Sequence, residues 1–270
     1  MNELARTEFH ARIESERRFA TNTIKGVDII ERPDLTRLTL AANGWGRAGM
    51  YSAHLGHFKE ARDSFLLSVL YRLQRFTKAG HETVYPFELV QTMEMALLSG
   101  DREIALRAAE KSVLVQFRLE SRLNKAYFDA LRMLVLGKAE AARAAADELK
   151  AIPAHEAVRV KSYPGLGETV HAILAGDNAA FRHALEIILE RHLRYTRGSL
   201  RGTPEALFSR PATCLAILGH RMGLKVMVNE RFHSVRILFN TVSLKEWHGY
   251  PVYRKTFETV ADLLPMPLIE

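Results

Sequence analysis

Arg191, His192, Arg194, Arg197, Arg201 and Arg210 form the cluster of side chains in this chain with the clearest chemical promise. Spacings of three between Arg191, Arg194 and Arg197 line guanidinium groups along one edge of a helix end. Cations at that end complement the helix dipole, which is a sufficient structural reason for them. The planar fork of arginine also binds carboxylates and phosphates in a bidentate fashion. The same residues therefore predict a docking edge for an anionic surface.

Other candidate groups are weaker. His183 and Glu186 stand three apart, with Glu190 a turn further on. A dimetal carboxylate site in a helical bundle needs a second Glu-x-x-His pattern on a facing helix. None is found, so the three read as a polar face opposite Phe181, Leu185 and Leu189, and no metal is assigned. His54 and His57 flank a turn, where capping or a surface position explains them. Cys214 is the single cysteine, so neither an internal disulfide nor a thiolate metal cluster can form. Its apolar neighbours, Leu215 to Leu218, predict a buried structural thiol. No phosphate loop, dinucleotide fingerprint, zinc motif or nucleophile elbow occurs. No catalytic residue and no cofactor is assigned, and the chain is expected not to be an enzyme. Trp247, in Glu246-Trp247-His248-Gly249-Tyr250, is a candidate partner anchor, with packing against the last helix as the alternative.

The elements that must carry these residues are helices. Four apolar helical runs end at a glycine and are followed at once by another run. The turns are Leu55-Gly56, Ser99-Gly100-Asp101, Leu136-Gly137 and Ala175-Gly176-Asp177, and their glycines lie 44, 37 and 39 residues apart. That near-period predicts stacked antiparallel helical hairpins. Trp45 to Ala61 resembles a tetratricopeptide unit, with an early aromatic, small residues at Ala48, Gly49 and Ala53, then Leu-Gly and an alanine five residues later.

Residues 1–24 read as a charged helix or an extended arm, and Pro33-Asp34 opens the helix that follows. Asp101 and Asp177 are placed to cap incoming helices. Ser162 to Gly167 is a turn cluster and a candidate break between subdomains, giving an N-terminal array at 1–161 and a C-terminal part at 162–270 within one continuous domain. Arg197 to Pro204 reads as a flexible basic loop, followed by a helix at about 205–222. Beyond Gly223, Leu224 to Val228 and Val235 to Phe239 suit short strands or irregular segments. The fold class expected is all-α, with an irregular or short-strand C-terminal segment.

The chain has 270 residues, enough to bury a sizeable core, and its 47% hydrophobic and 26% charged residues are ordinary for a globular protein. A net charge of +7 and a pI near 9.6 permit an acidic protein, nucleic acid or an anionic membrane as partner. The polar N-terminus has no secretory h-region and no run approaches a membrane span, so a cytoplasmic location is expected.

Residues 171–223 carry a further pattern. His171-Ala172-Ile173-Leu174-Ala175-Gly176-Asp177-Asn178-Ala179-Ala180-Phe181 runs into a long helix and a basic loop. Ala212-Thr213-Cys214-Leu215-Ala216-Ile217-Leu218-Gly219-His220-Arg221-Met222-Gly223-Leu224 follows. This resembles the bacterial polymorphic-toxin immunity proteins of immunity family forty-nine. Those are all-helical, with a Gly-Asp turn before a phenylalanine-bearing helix and a late small-residue helix ending in an Arg-x-Gly turn. The resemblance implies an antitoxin that neutralises a cognate toxin domain by protein–protein contact. The basic edge of Arg191, Arg194, Arg197, Arg201 and Arg210 then implies an acidic contact surface on that toxin. A helical-repeat scaffold or regulator that binds a peptide or nucleic acid is the alternative.

Overall fold

A computed structural model describes residues 3–26, 34–79, 84, 86–111, 122–153, 164–229 and 232. Among them are ten α-helices and no strand. They are α1 (Glu3–Ile24), α2 (Leu35–Leu55), α3 (Phe58–Ala79), α4 (Pro86–Leu98), α5 (Arg102–Lys111), α6 (Arg122–Val135), α7 (Ala139–Ala151), α8 (Leu166–Ala175), α9 (Asn178–Arg197) and α10 (Arg210–Arg221). No helix among the described residues is long and apolar enough to cross a membrane. The fold is all-α.

The four glycine turns close four hairpins: α2/α3, α4/α5, α6/α7 and α8/α9. Gly56, Gly100, Gly137 and Gly176 have φ of 83°, 73°, 69° and 68°. A β-carbon is disfavoured in that left-handed region, so glycine ends each first helix at no steric cost. Three of the turns share one hydrogen-bond pattern, in which the N–H after the glycine returns to a carbonyl five residues back: His57 to Ser52, Lys138 to Met133 and Asp177 to Ala172. The aspartates then start the next helices. Asp101 Oδ1 accepts from the Ile104 N–H at 3.0 Å, and Asp177 Oδ1 accepts from Ala179 and Ala180 at 2.9 and 3.0 Å. Asp34 caps α2 in the same way.

The hairpins do not follow one another uniformly. Contact passes chiefly from α3 to α4, from α4 to α6, and from α7 to α8. The largest core cluster runs from Met50 to Phe232 and crosses the expected break near residue 162. A Cβ at Gly167 of α8 would come within 2.6 Å of the Ala146 carbonyl oxygen of α7, so this glycine sets how closely the two helices approach.

α1 is a helix, not an extended arm. It lies on α2 with only Ile13 and Ala20 buried. Polar contacts hold it there. Arg47 Nε and Nη2 each reach the Glu16 carboxylate at 2.8 Å, and Arg17 reaches Glu60 at 2.9 Å. A polar outer helix of this kind suits the end of a helical array, where no further hairpin covers the last one.

The expected helix at 205–222 is two elements. A short 3-10 turn covers Pro204–Ala206, and α10 starts afresh at Arg210 with Ser209 as its cap. Ser209 Oγ accepts the Ala212 N–H at 3.4 Å. Nine consecutive residues of α10, Pro211 to Gly219, are buried, as expected of a helix with no polar face. α10 packs on α4, α6 and α8, the first helices of the last three hairpins, and on α9. The face those first helices share is therefore filled by the chain itself.

Leu224 to Asn229 is an extended strap rather than a strand. Leu224 and Val226 are buried while Lys225, Met227 and Asn229 are exposed, the alternation that extended backbone imposes. The Lys225 N–H binds Asn178 Oδ1 at 2.7 Å, and the Asn229 N–H binds Glu186 Oε1 at 2.9 Å. The strap therefore runs along α9 in the same direction as the helix. The segment around Val235 to Phe239, expected to be strand-like or irregular, lies outside the described residues.

Candidate partner-binding edge

α9 positions the basic cluster. Phe181, Ala184, Leu185, Ile188, Leu189 and His192 point into the core. The three- and four-residue spacing of those positions leaves Arg191, Arg194 and Arg197 on the outside. Arg194, Arg197 and Arg201 are exposed and Arg191 is half-buried. None of the four makes an ion pair among the described residues. The Arg191 guanidinium carbon lies 5.8 Å from the centre of the Tyr195 ring, so the aromatic face restrains one cation on this edge.

The stretch after α9 is not a loose loop. Leu200 N–H returns to Tyr195 O at 2.9 Å, Arg201 to Gly198 at 3.1 Å and Thr203 to Leu200 at 3.0 Å. These successive turns hold Arg201 beyond the helix end.

Beside the edge is an open groove of about 260 Å³, lined by Pro164, His183, Glu186, Ile187, Glu190, Arg191 and Arg194. It falls below the roughly 300–1,000 Å³ of typical small-molecule pockets, and its size suits a side chain from a partner better than a metabolite. Ile187 and Pro164 supply its apolar part. Both had a signal in the sequence: Ile187 stands off the apolar stripe of α9, and Pro164 belongs to the turn cluster before α8.

His183, Glu186 and Glu190 line this groove, but Glu186 is engaged elsewhere. Its Oε1 accepts from Arg182 Nε at 3.1 Å and from the Asn229 backbone. Among the described residues no group of three His, Cys, Asp or Glu is arranged to hold a metal ion.

Two members of the basic run turn away from the edge, His192 buried and Arg210 half-buried. His192 is 1% exposed and donates to the Ala206 carbonyl, which ties α9 to the 3-10 turn. Burial pushes its pKa down to about 4, and nearby Arg210 pushes the same way. Arg210 does not share the edge. Its Nε stands 3.6 Å from Oε2 of Glu94, whose side chain is 3% exposed. Burial raises the Glu94 carboxyl, and Arg210 and Tyr127 partly oppose that. Arg210 is thus the counter-ion of a buried acid. Trp247 lies outside the described residues.

More buried polar groups continue from Glu94 into α2 and α3. Arg72 is 4% exposed. Its Nη2 donates to Asn43 Oδ1 at 2.6 Å and Gln91 Oε1 at 3.0 Å, and burial lowers it to about 10, so it stays charged at neutral pH. Arg75 meets Glu88 at 3.3 Å. Cys214 is buried, its thiol raised well above the usual value by burial, and its Sγ lies 3.6 Å from the Glu94 carbonyl oxygen. These groups bind the helices together and none opens onto the groove. The sequence reading missed this belt because each charge is paired through the fold.

The chain matches no family model, no curated protein and no solved structure.

Proposed function

We propose that this chain is an immunity protein, a cytoplasmic antitoxin that binds one cognate bacterial toxin domain and blocks it by contact, without catalysis of its own. The observation that carries the reading is the end of α9: Arg191, Arg194, Arg197 and Arg201 make no ion pair among the described residues, and the first two line a groove of side-chain size. Cations of one sign that are left without an ion pair among the described residues steer an acidic partner and fix its register. The packing of α10 on α4, α6 and α8 supports the same choice of surface, because the face those helices share is already occupied. The resemblance of residues 171–223 to immunity family forty-nine supplies the class of partner.

Co-expression with the product of the gene immediately upstream tests this. Rescue of growth together with a stable complex is the expected result. A harmless neighbour that does not co-purify overturns it. The same arginines also favour nucleic acid as a second reading. There, binding falls steeply with salt and shows no dependence on a particular protein partner.

A further inference from the structure

We propose that the partner meets α9 with an acidic helix that carries one apolar anchor, laid antiparallel along the edge with the anchor between Pro164 and Ile187. This rests on the binder reading above and names the segment that such a partner presents.

The arginine spacing selects a helix. Arg191, Arg194 and Arg197 advance about 4.5 Å per step along the α9 axis. Carboxylates three or four residues apart on another helix repeat at a matching interval of about 5–6 Å. Same-face side chains of an extended strand repeat at about 6.7 Å and lose register over the same three arginines. Arg201, held by the turns after Gly198, prolongs the ladder past the helix end.

The groove selects the anchor. Ile187 and Pro164 line it, and the stem of Arg191 adds apolar surface while its guanidinium lies over the Tyr195 ring. Glu186 and Glu190 line the same groove, so a partner carboxylate is repelled there and accepted only further along, beside Arg194, Arg197 and Arg201. An apolar residue therefore belongs at one end of the partner segment and acids at the other.

Helix dipoles set the direction. The arginines gather at the C-terminal end of α9, and acids are most favourable in the first turns of a helix. An antiparallel partner places its acidic N-terminal turns over Arg194, Arg197 and Arg201 and its apolar anchor a turn or two later, over Ile187. The position in the fold agrees. α1 lies on the first hairpin, whereas the outer side of α9 carries the strap from Leu224 to Asn229 and, at Ile187, the turn at Pro164 and Gly165.

The probe is a labelled, alanine-rich peptide of about 16 residues, long enough to sample helix in water, with three glutamates spaced three or four apart followed by one leucine. Binding to the full chain is read by fluorescence anisotropy. Replacement of the glutamates by glutamine is expected to weaken it at least tenfold, and leucine to alanine about fivefold. R194E/R197E is expected to abolish the glutamate effect. I187D is expected to abolish the leucine effect and spare the glutamate effect. Binding that ignores the leucine, or persists unchanged in I187D, overturns the anchor. Equal binding of a peptide with glutamates at every second residue overturns the helix. A peptide that fails to bind, while the upstream toxin still forms a complex sensitive to R194E/R197E, overturns this inference and leaves the binder reading standing. A chain that dimerises in solution through the same arginines gives the edge to a second copy and also overturns it.

Discussion

The ring of Phe181 in α9 stands so close over Gly219 in α10 that a Cβ at residue 219 would meet its Cε2 at 2.8 Å. Phe181 is fully buried. The contact lets α10 sit deep in the fold. G219A adds one methyl group where there is no room and is expected to cost about 1–3 kcal/mol by overpacking. F181L in the same background makes room and returns part of the loss. Urea denaturation of the single and double variants measures both steps. An unchanged midpoint for G219A contradicts the packing described.

Arg210 and Glu94 give a second test. Removing the cation alone, as R210M, leaves a buried carboxylate without its counter-ion and is expected to cost about 3–5 kcal/mol. Removing both charges, as E94Q/R210M, is expected to recover most of that. If the double variant is as unstable as the single one, the pair is not coupled.

His192 predicts an acid-labile fold. Its folded pKa of about 4 lies below the ordinary 6.5. Below pH 6.5 the unfolded chain takes up a proton that the folded chain refuses. The contribution of His192 is therefore complete above pH 6.5 and is lost as pH falls toward 4, by up to about 3 kcal/mol at roughly 1.4 kcal/mol per pH unit. Glu94 acts in the opposite sense, since its raised pKa favours the folded state as it protonates. The difference between wild type and H192Q isolates the histidine. Parallel stability curves for the two proteins between pH 6.5 and 4 would refute its role.

Charge reversal on the edge separates binding from folding. R194E/R197E/R201E is expected to weaken the complex with the proposed acidic partner about 10- to 100-fold, largely through a slower and less salt-sensitive association. These side chains are exposed and make no ion pair among the described residues, so the fold is expected to persist, with the melting temperature lowered by a few degrees because acids replace cations at the C-terminal end of α9. Surface plasmon resonance at two salt concentrations, beside a thermal melt, checks both halves. Unchanged affinity returns the arginines to the role of a solvated helix end.

The hairpins were legible because their signal is local. Leu-Gly turns, the aspartates at 34, 101 and 177, and the apolar stripe of α9 each lie within a few residues of what they determine. Arg210 and His192 were not legible as interior residues. They sit in a run of arginines, and what pulls them inward is Glu94, more than a hundred positions earlier, together with the carbonyl of Ala206. Local spacing reports which face a side chain occupies but not what stands opposite it. The groove was half-visible, since Ile187 is out of place on its helix, but only the fold brings Pro164 beside it.

The burial of α10 has a consequence for how the chain comes together. An open array of hairpins can melt and re-form one repeat at a time, each unit depending on its neighbours alone. Here a late helix touches hairpins two, three and four, with contacts such as Arg221 to the Gly100 carbonyl that span 121 residues. The last three hairpins cannot complete their shared core until synthesis has passed residue 221. Long-range closure of that kind slows folding and makes unfolding a single event. Hairpins two to four, and the edge of α9 that they carry, are therefore either whole or absent, with no half-folded form left to hold a partner loosely.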